Sequence, residues 1–273
     1  MTADLPARPF LDGDRLAAGP PGLRVEVVAA APSTNALVAE RARSGAAEGL
    51  VVVAEHQTSG RGRLDRSWET PDRAALTFSV LLRPRVAPVE WPWLPLMTGY
   101  AVCRALREAG FEAGVKWPND VLIGDPSTGS GRGGKVAGIL VERVETGAGP
   151  AAVVGVGINV STTREELPIE AATSLAIEAG AAPDRTDILL WVLGALREEY
   201  DAWQAGGAAT LHAAYLGSCV TVGRDVQVAL PGGGALTGRA TGIDPGGRLT
   251  VSGPEGEVSV GAGDVVHVRS VNP

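Results

Sequence analysis

Lysine is almost missing from this chain. Of its 24 lysine and arginine residues only two are lysine, Lys116 and Lys135, so a compact, strongly hydrated point charge is reserved for those two positions and planar guanidinium forks serve everywhere else. Cysteine is equally scarce. Cys103 and Cys219 stand far apart, which excludes a disulfide framework and any metal-ligand spacing, and the three scattered histidines, His56, His212 and His267, add no cluster. No apolar run approaches the ~20 residues that a membrane span requires. The start, Met1-Thr2-Ala3-Asp4, lacks the basic and apolar regions of a signal peptide, so a cytoplasmic protein without membrane partners is expected. Excess positive charge is absent too. The net charge is −7 and the pI about 5.1, whereas a duplex-binding domain needs a cationic footprint to neutralise phosphates. The first 24 residues are too short and too rich in Pro and Gly for a helix-turn-helix unit, which needs two helices and a core. An irregular arm is expected over residues 1–24, and no DNA partner.

What is present is a globular composition. The chain has 273 residues, 45% of them hydrophobic, enough for one large domain with a small appendage. The apolar run Leu50 to Ala54 and the β-rich Ala75 to Leu82 predict strands, separated by a polar loop containing Gly and Arg. Trp93 to Ala109 has helical spacing and ends at Gly110, a C-terminal cap. Val136 to Val144 and Ala152 to Val160 predict neighbouring antiparallel strands joined by the turn-like Thr146-Gly147-Ala148-Gly149-Pro150. Pro183 to Trp203 carries an apolar stripe of Ile188, Leu189, Trp191, Val192, Leu196, Tyr200 and Trp203, with Asp184 near its start, and predicts a helix. After Gly217 short alternating runs (Val220, Val222, Val226, Val228, then Leu249, Val251, Val258, Val260) between Gly- and Pro-rich turns predict a small all-β module. The boundary is expected near residue 216, and a module of this size needs to pack on its larger neighbour.

Several short constellations suggest chemistry. Gly60-Arg61-Gly62-Arg63, followed by Trp68, lies just after the first strand; the glycines let backbone approach a ligand and the arginines present forked donors for phosphate or carboxylate. The alternative is a solvated turn. Ser33-Thr34-Asn35 precedes a helix-compatible segment and reads either as an N-cap or as a cluster of ligand-binding groups. Gly155-Val156-Gly157-Ile158-Asn159 permits close ligand approach, or marks a bulge. Residues 129–135, Gly-Ser-Gly-Arg-Gly-Gly-Lys, imitate a phosphate-binding loop, but position 136 is valine where Ser or Thr would hold magnesium, and a strand follows instead of a helix. The stretch Gly124 to Gly134 is better read as a flexible connection that delivers Lys135 to the head of a strand.

Taken in order, Ser33-Thr34-Asn35, Gln57, Gly60-Arg61-Gly62-Arg63 with Trp68, Lys116-Trp117-Pro118-Asn119-Asp120, Gly134-Lys135-Val136-Ala137-Gly138-Ile139-Leu140-Val141-Glu142 and Gly155-Val156-Gly157-Ile158-Asn159 resemble the motif series of biotin–protein ligases. The resemblance runs from about residue 25 to the C-terminus, and lacks the N-terminal DNA-binding domain of bifunctional members. It implies an α+β fold: a mixed-sheet catalytic domain over residues 25–216, resembling class II aminoacyl-tRNA synthetases, and an SH3-like β barrel over 217–273. It also implies two steps, in which biotin and ATP with Mg2+ form biotinyl-5′-adenylate and the biotinyl group then passes to one lysine of a biotin carboxyl carrier domain of a carboxylase. By this resemblance Ser33, Thr34, Asn35, Gln57, Gly60, Arg61, Gly62, Arg63, Lys135 and Gly138 bind biotin. Arg63, Trp68, Lys116, Asn119, Lys135, Gly157 and Asn159 bind ATP or the adenylate, with Trp68 stacked on adenine. Arg63, Lys135 and Asp120 are the catalytic candidates, Asp120 acting on the acceptor lysine or merely pinning the turn after Pro118. No dedicated protein cage for the metal is expected, and the chain is expected to be a monomer or weak homodimer. Lipoyl- or octanoyl-protein ligases and a non-enzymatic biotin-sensing regulator are the alternatives.

Overall fold

The computed structural model describes residues 8–64, 66–124, 134–230, 233–254 and 256–268. Where an irregular arm is expected, Gly13–Ala17 form a short helix, α1, capped by the Asp12 carboxylate, and Leu11 and Leu16 enter the core. Strand β1 (Arg24–Ala31), helix α2 (Thr34–Arg43) and strand β2 (Leu50–Gln57) follow, with β1 and β2 paired in parallel across the helix. A minimal hairpin, β3 (Gly60–Arg61) and β4 (Ser67–Trp68), leads to β5 (Ala75–Leu82) and α3 (Trp93–Glu108). Strands β6 (Ala113–Lys116), β7 (Asp120–Ile123), β8 (Gly134–Thr146) and β9 (Gly149–Asn159) complete the sheet. Its order is β1-β2-β5-β9-β8-β7-β6, antiparallel everywhere except β1–β2, so the sheet is mixed and the fold α+β. Residues 125–133, and with them most of the Gly124 to Gly134 connection, lie outside the described residues.

Side chains alternate between the two faces of a strand, and here each face has its own cover. Val51 and Val53 of β2, Leu76, Phe78 and Val80 of β5, and Val154, Val156 and Ile158 of β9 point to the face packed by α3 and α5 (Arg185–Gly206). Leu50, Val52, Leu81 and Val153 point to the other face and pack on Val38, Ala39 and Ala42 of α2. Being only ten residues long, α2 covers one end of that face. Beyond its N-terminus the positions of the same parity are Thr77, Ser79, Gly138, Gly155 and Gly157, too small or too polar to build a core. The candidate site lies there.

Helices α4 (Leu175–Ala179) and α6 (Ala209–Ser218) complete the helical complement; α6 spans the position near 216 where a boundary is expected. The C-terminal strands β10 (Asp225–Ala229), β11 (Ala235–Ile243), β12 (Leu249–Gly253), β13 (Gly256–Val260) and β14 (Asp264–His267) form an antiparallel sheet of order β13-β12-β11-β10-β14. Val226, Val228, Val251, Val260 and Val265 share one hydrophobic core with α3 and α5, while Val258 and Val266 face solvent. Two indoles fasten the turn between β11 and β12: Trp93 Nε1 donates to the Pro245 carbonyl (2.8 Å) and Trp117 Nε1 to that of Gly247 (3.0 Å).

A buried ion pair ties the first residues to this frame. Arg185, at the start of α5, holds Glu55 of β2 at 2.6 Å and also donates to the carbonyls of Pro9 and Ala75, while Glu55 accepts from the Leu11 N–H at 2.7 Å. Both side chains are about 95% buried, with relative exposures of 5% and 4%. Removing one partner strands the other charge away from water. Arg185→Ala should cost about 3–5 kcal/mol in urea denaturation, and the joint replacement of Arg185 by Met and Glu55 by Leu should cost less than the single change; equal losses would show that the charges are not coupled.

Candidate functional site

On the uncovered face, register lines up small residues across the sheet. Thr77 of β5 pairs with Gly157 of β9, Gly157 with Gly138 of β8, and Gly138 with Asp120 of β7; one row along, Ser79 pairs with Gly155 and Gly155 with Leu140. The result is a furrow, roofed by the β3–β4 hairpin, enclosing a cavity of about 440 Å³, within the ~300–1,000 Å³ usual for small-molecule sites. The ladder passes through Gly155 and Gly157 without a bulge. The space the glycines leave is used: a Cβ at 155 would collide with the Asn35 amide, and one at 157 with the Trp68 indole.

One end of the cavity is neutral and polar. Ser33 caps α2, its Oγ accepting from the Ala36 N–H at 3.4 Å, as the N-cap reading expects, and it also lines the cavity. The Thr34 N–H donates to Gln57 Oε1 at 2.9 Å. Ser79 Oγ lies 2.7 Å from Thr34 Oγ1 and 2.6 Å from Asn35 Oδ1, and Asn35 Nδ2 donates to Glu142 Oε2 at 2.7 Å and to the Leu140 carbonyl at 3.2 Å. All four of Ser33, Thr34, Asn35 and Gln57 are buried, and such groups are retained only where their hydrogen bonds are met.

The other end is cationic. Lys135 Nζ meets Asp120 Oδ1 at 2.6 Å and lies 5.6 Å from the centre of the Trp68 ring, a cation–π distance. Asp120 therefore faces the lysine, beyond any part it plays in the Pro118 turn. Arg63 donates to Asn119 Oδ1 at 3.0 Å, and burial lowers its guanidinium below the usual value against the opposing pull of Asp120 and Asp264. Arg66 pairs with Asp264 of the C-terminal sheet, a hydrogen bond that holds this carboxyl below its ordinary range. Arg61 lies 3.7 Å from Glu142. Trp68 spans the middle, against Gly138 and Gly157; its buried indole N–H has no hydrogen-bond partner among the described residues. Asn159 also lines the cavity, with Nδ2 bonded to the Thr173 carbonyl at 3.0 Å.

Every candidate from the sequence lines this one cavity except Gly60 and Lys116. Gly60 begins β3 of the hairpin itself, where a Cβ would strike Gln57 and the Trp68 carbonyl. Lys116 ends β6 outside the cavity wall; burial lowers its ammonium pKa, partly offset by Asp120 and Asp264. Sequence reasoning passed over Thr77, Ser79 and Asp264. Two hydroxyls at i and i+2 in an otherwise apolar strand are a visible signal for the first two; nothing local marks Asp264. Among the described residues no group of three or more His, Cys, Asp or Glu is arranged to hold a metal ion, and no helix is long and apolar enough to cross a membrane.

Two family models match in succession: the biotin/lipoate A/B protein ligase family over residues 27–159 and the biotin protein ligase C terminal domain over 221–268. A biotin–[acetyl-CoA-carboxylase] ligase of Mycobacterium tuberculosis is 42% identical over 260 residues, covering 93% of this chain and 92% of that protein. The chain belongs to the biotin protein ligase family. A bifunctional ligase/repressor, BirA, of Bacillus subtilis is 32% identical to this ligase over 85% of the chain and 70% of its own length. The biotin protein ligase from Aquifex aeolicus in complex with biotin and ATP superposes with a TM-score of 0.76 at 29% identity, over 90% of this chain and 99% of that one.

The furrow makes a direct demand on Gly157. Gly157→Ala should leave the ligase folded but push Trp68 off the sheet, since the hairpin is the part free to give. In difference spectra against a Trp68→Phe background, the Trp68 emission should move to the red; an unchanged spectrum would show that the indole does not need the glycine.

Proposed function

We propose that this ligase joins biotin to ATP as biotinyl-5′-adenylate and then transfers the biotinyl group to a lysine of a biotin carboxyl carrier domain, that of an acetyl-CoA carboxylase being the acceptor suggested by the relatives' names. The observation that carries this reading is one cavity with a neutral hydrogen-bonding end and a cationic end, matched to a molecule with a ureido ring at one end and a carboxylate at the other. Ser33, Thr34, Asn35 and Gln57 form the ureido wall. Arg61, Gly62, Arg63 and Lys135 surround the carboxylate, with Gly138 as floor and Gly60, within the hairpin, letting it close onto Gln57. The nucleotide takes the remaining space toward Trp68, Asn119, Gly157 and Asn159, with Lys116 acting from behind Asp120.

The chemistry needs no enzyme nucleophile. A carboxylate oxygen of biotin attacks the α-phosphate, the bond to the β-phosphate breaks, and pyrophosphate leaves with its electron pair. The barrier is the approach of two anions, and cationic donors placed between them in a site shielded from water lower it. In the second step the acceptor's neutral amine attacks the anhydride carbonyl and AMP departs. Asp120 is the nearest carboxylate to receive that amine's proton once a substrate anion has taken its place on Lys135. Asp120 and Asp264 are each paired with a basic residue, which supports a site where Mg2+ would be held by the nucleotide's own phosphates and water, as is usual for this ion.

Within the same proposal, residues 25–216 are the catalytic domain, related to the class II aminoacyl-tRNA synthetases, and residues 217–273 an SH3-like module that closes one side of the site through Asp264. The ligase acts in the cytoplasm as a monomer or weak homodimer, without DNA. Pyrophosphate release on adding ATP and Mg2+ with biotin, and none with lipoate, tests the reading; release with lipoate would transfer it to the related acyl ligases. Lys135→Arg keeps the charge but cannot place one compact ammonium between Asp120, the Trp68 face and an incoming carboxylate. A displacement of ~1 Å costs on the order of 10² in rate. The variant should melt near wild type and release pyrophosphate about a hundredfold more slowly; matched rates would reduce Lys135 to a replaceable charge.

A further inference from the structure

Glu142 does not line the cavity, yet the polar wall terminates on it. Asn35 has two acceptors on one side of its amide, the Glu142 carboxylate at 2.7 Å and the Leu140 carbonyl at 3.2 Å. Only an NH2 group satisfies both, so the orientation of this amide is dictated by its partners. Asn35 Oδ1 is thereby turned toward Ser79 and needs a donor, which the Ser79 hydroxyl supplies at 2.6 Å. Ser79 has a single proton. Once it is committed to Asn35, the 2.7 Å contact with Thr34 can be a hydrogen bond only if the Thr34 hydroxyl donates to Ser79. The alternative acceptor for that proton, Gln57 Oε1, is farther at 3.3 Å and already takes the Thr34 N–H at 2.9 Å. Every member of this chain except Glu142 is buried, so water does not reset its direction.

The direction has a consequence for the ligand. With its proton spent on Ser79, Thr34 Oγ1 presents only lone pairs to the cavity it lines, and Gln57, its oxygen engaged by Thr34, presents its NH2. The wall thus asks for a ligand carrying an N–H donor beside a carbonyl acceptor. A ureido ring has both, and the dithiolane ring of lipoate has neither. We propose that Glu142 is a specificity-determining positioning residue: as the nearer and charged of the two acceptors of the Asn35 amide, beside the more distant Leu140 carbonyl, it fixes the polarity of the chain Thr34→Ser79→Asn35→Glu142 and so selects a ureido ligand. The ion pair with Arg61, at 3.7 Å, couples this residue to the hairpin over the cavity. The inference rests on the reading of the cavity as a biotin site.

Biotin binding by calorimetry, with steady-state adenylation and melting temperatures, tests it on the full chain. A mis-set or unmet hydrogen bond at a buried site costs about ten- to hundredfold in affinity. Glu142→Leu removes the terminal acceptor, and biotin should bind about ten- to hundredfold more weakly, with KM for biotin raised in step, kcat and KM for ATP little changed and melting close to wild type. Glu142→Gln restores a carbonyl acceptor for Asn35 and should stay within about threefold of wild type, which a purely electrostatic role for the carboxylate would not allow. Ser79→Ala cuts the chain at its middle and should reproduce the leucine variant, keeping the test open if that variant does not fold. Wild-type affinity in Glu142→Leu or in Ser79→Ala overturns the proposal, as does a glutamine variant as weak as the leucine one. Absence of biotin binding by the unaltered protein would instead overturn the reading of the cavity itself.

Discussion

Everything at this site depends on side chains being withheld from one face of a sheet. A β-sheet that packs on both sides normally fills both with branched residues, and here the face under α3 and α5 is filled in that way. On the opposite face, glycine at 138, 155 and 157 and hydroxyls at 77 and 79 lie in register across three strands. Because the strands are held by backbone hydrogen bonds, the missing side chains cost little order, and they open a depression with rigid walls. Asn35 and Trp68 then descend to the backbone itself. A ligand recognised there meets groups whose positions are set by the ladder, which is the rigidity that precise orientation of reacting groups requires.

The polar wall and the cationic end are organised by opposite rules. In the wall, neutral groups saturate one another along a directed series, so selectivity resides in which lone pairs and protons are left over. At the cationic end, Lys135, Arg66 and Arg61 each hold a carboxylate, and Arg63 holds an amide oxygen. The hairpin reaches both, the wall through the Arg61–Glu142 pair and the cationic end through Arg63 and Arg66, and the C-terminal sheet joins the cationic end through Asp264, which is how a strand near residue 264 comes to border a site otherwise built from residues 33–172.

The major strands and helices were legible from alternation and from helical spacing: β5 occupies Ala75–Leu82 and α3 begins at Trp93 and ends at Glu108, one residue short of the expected end. The motif order pointed to the cavity because the residues that line it come in short stretches near strand ends. Three features were not legible. Helix α6 has weak amphipathic spacing and follows a run of small residues, so nothing marks it as a helix across the boundary expected near residue 216. The glycines of β9 read as permitting ligand approach or as marking a bulge; the ladder has no bulge, and that Asn35 and Trp68 enter the space they leave is a fact of register that no single strand carries. Asp264 and the Glu55–Arg185 pair join positions about 200 and 130 residues from their partners, and nothing in local composition announces such meetings.

The pairing of the cavity cations also bears on how an anion gets in. A cleft lined with unpartnered basic residues acts as a funnel, drawing anions from a distance and losing that pull as salt rises. This cleft belongs to a protein of net charge −7 and carries its own counterions. From afar it presents little net field, and an anion arriving at Lys135 or Arg66 would trade places with Asp120 or Asp264 at contact range. Entry is therefore an exchange of partners, decided by fit within the furrow, and its rate should depend only weakly on ionic strength.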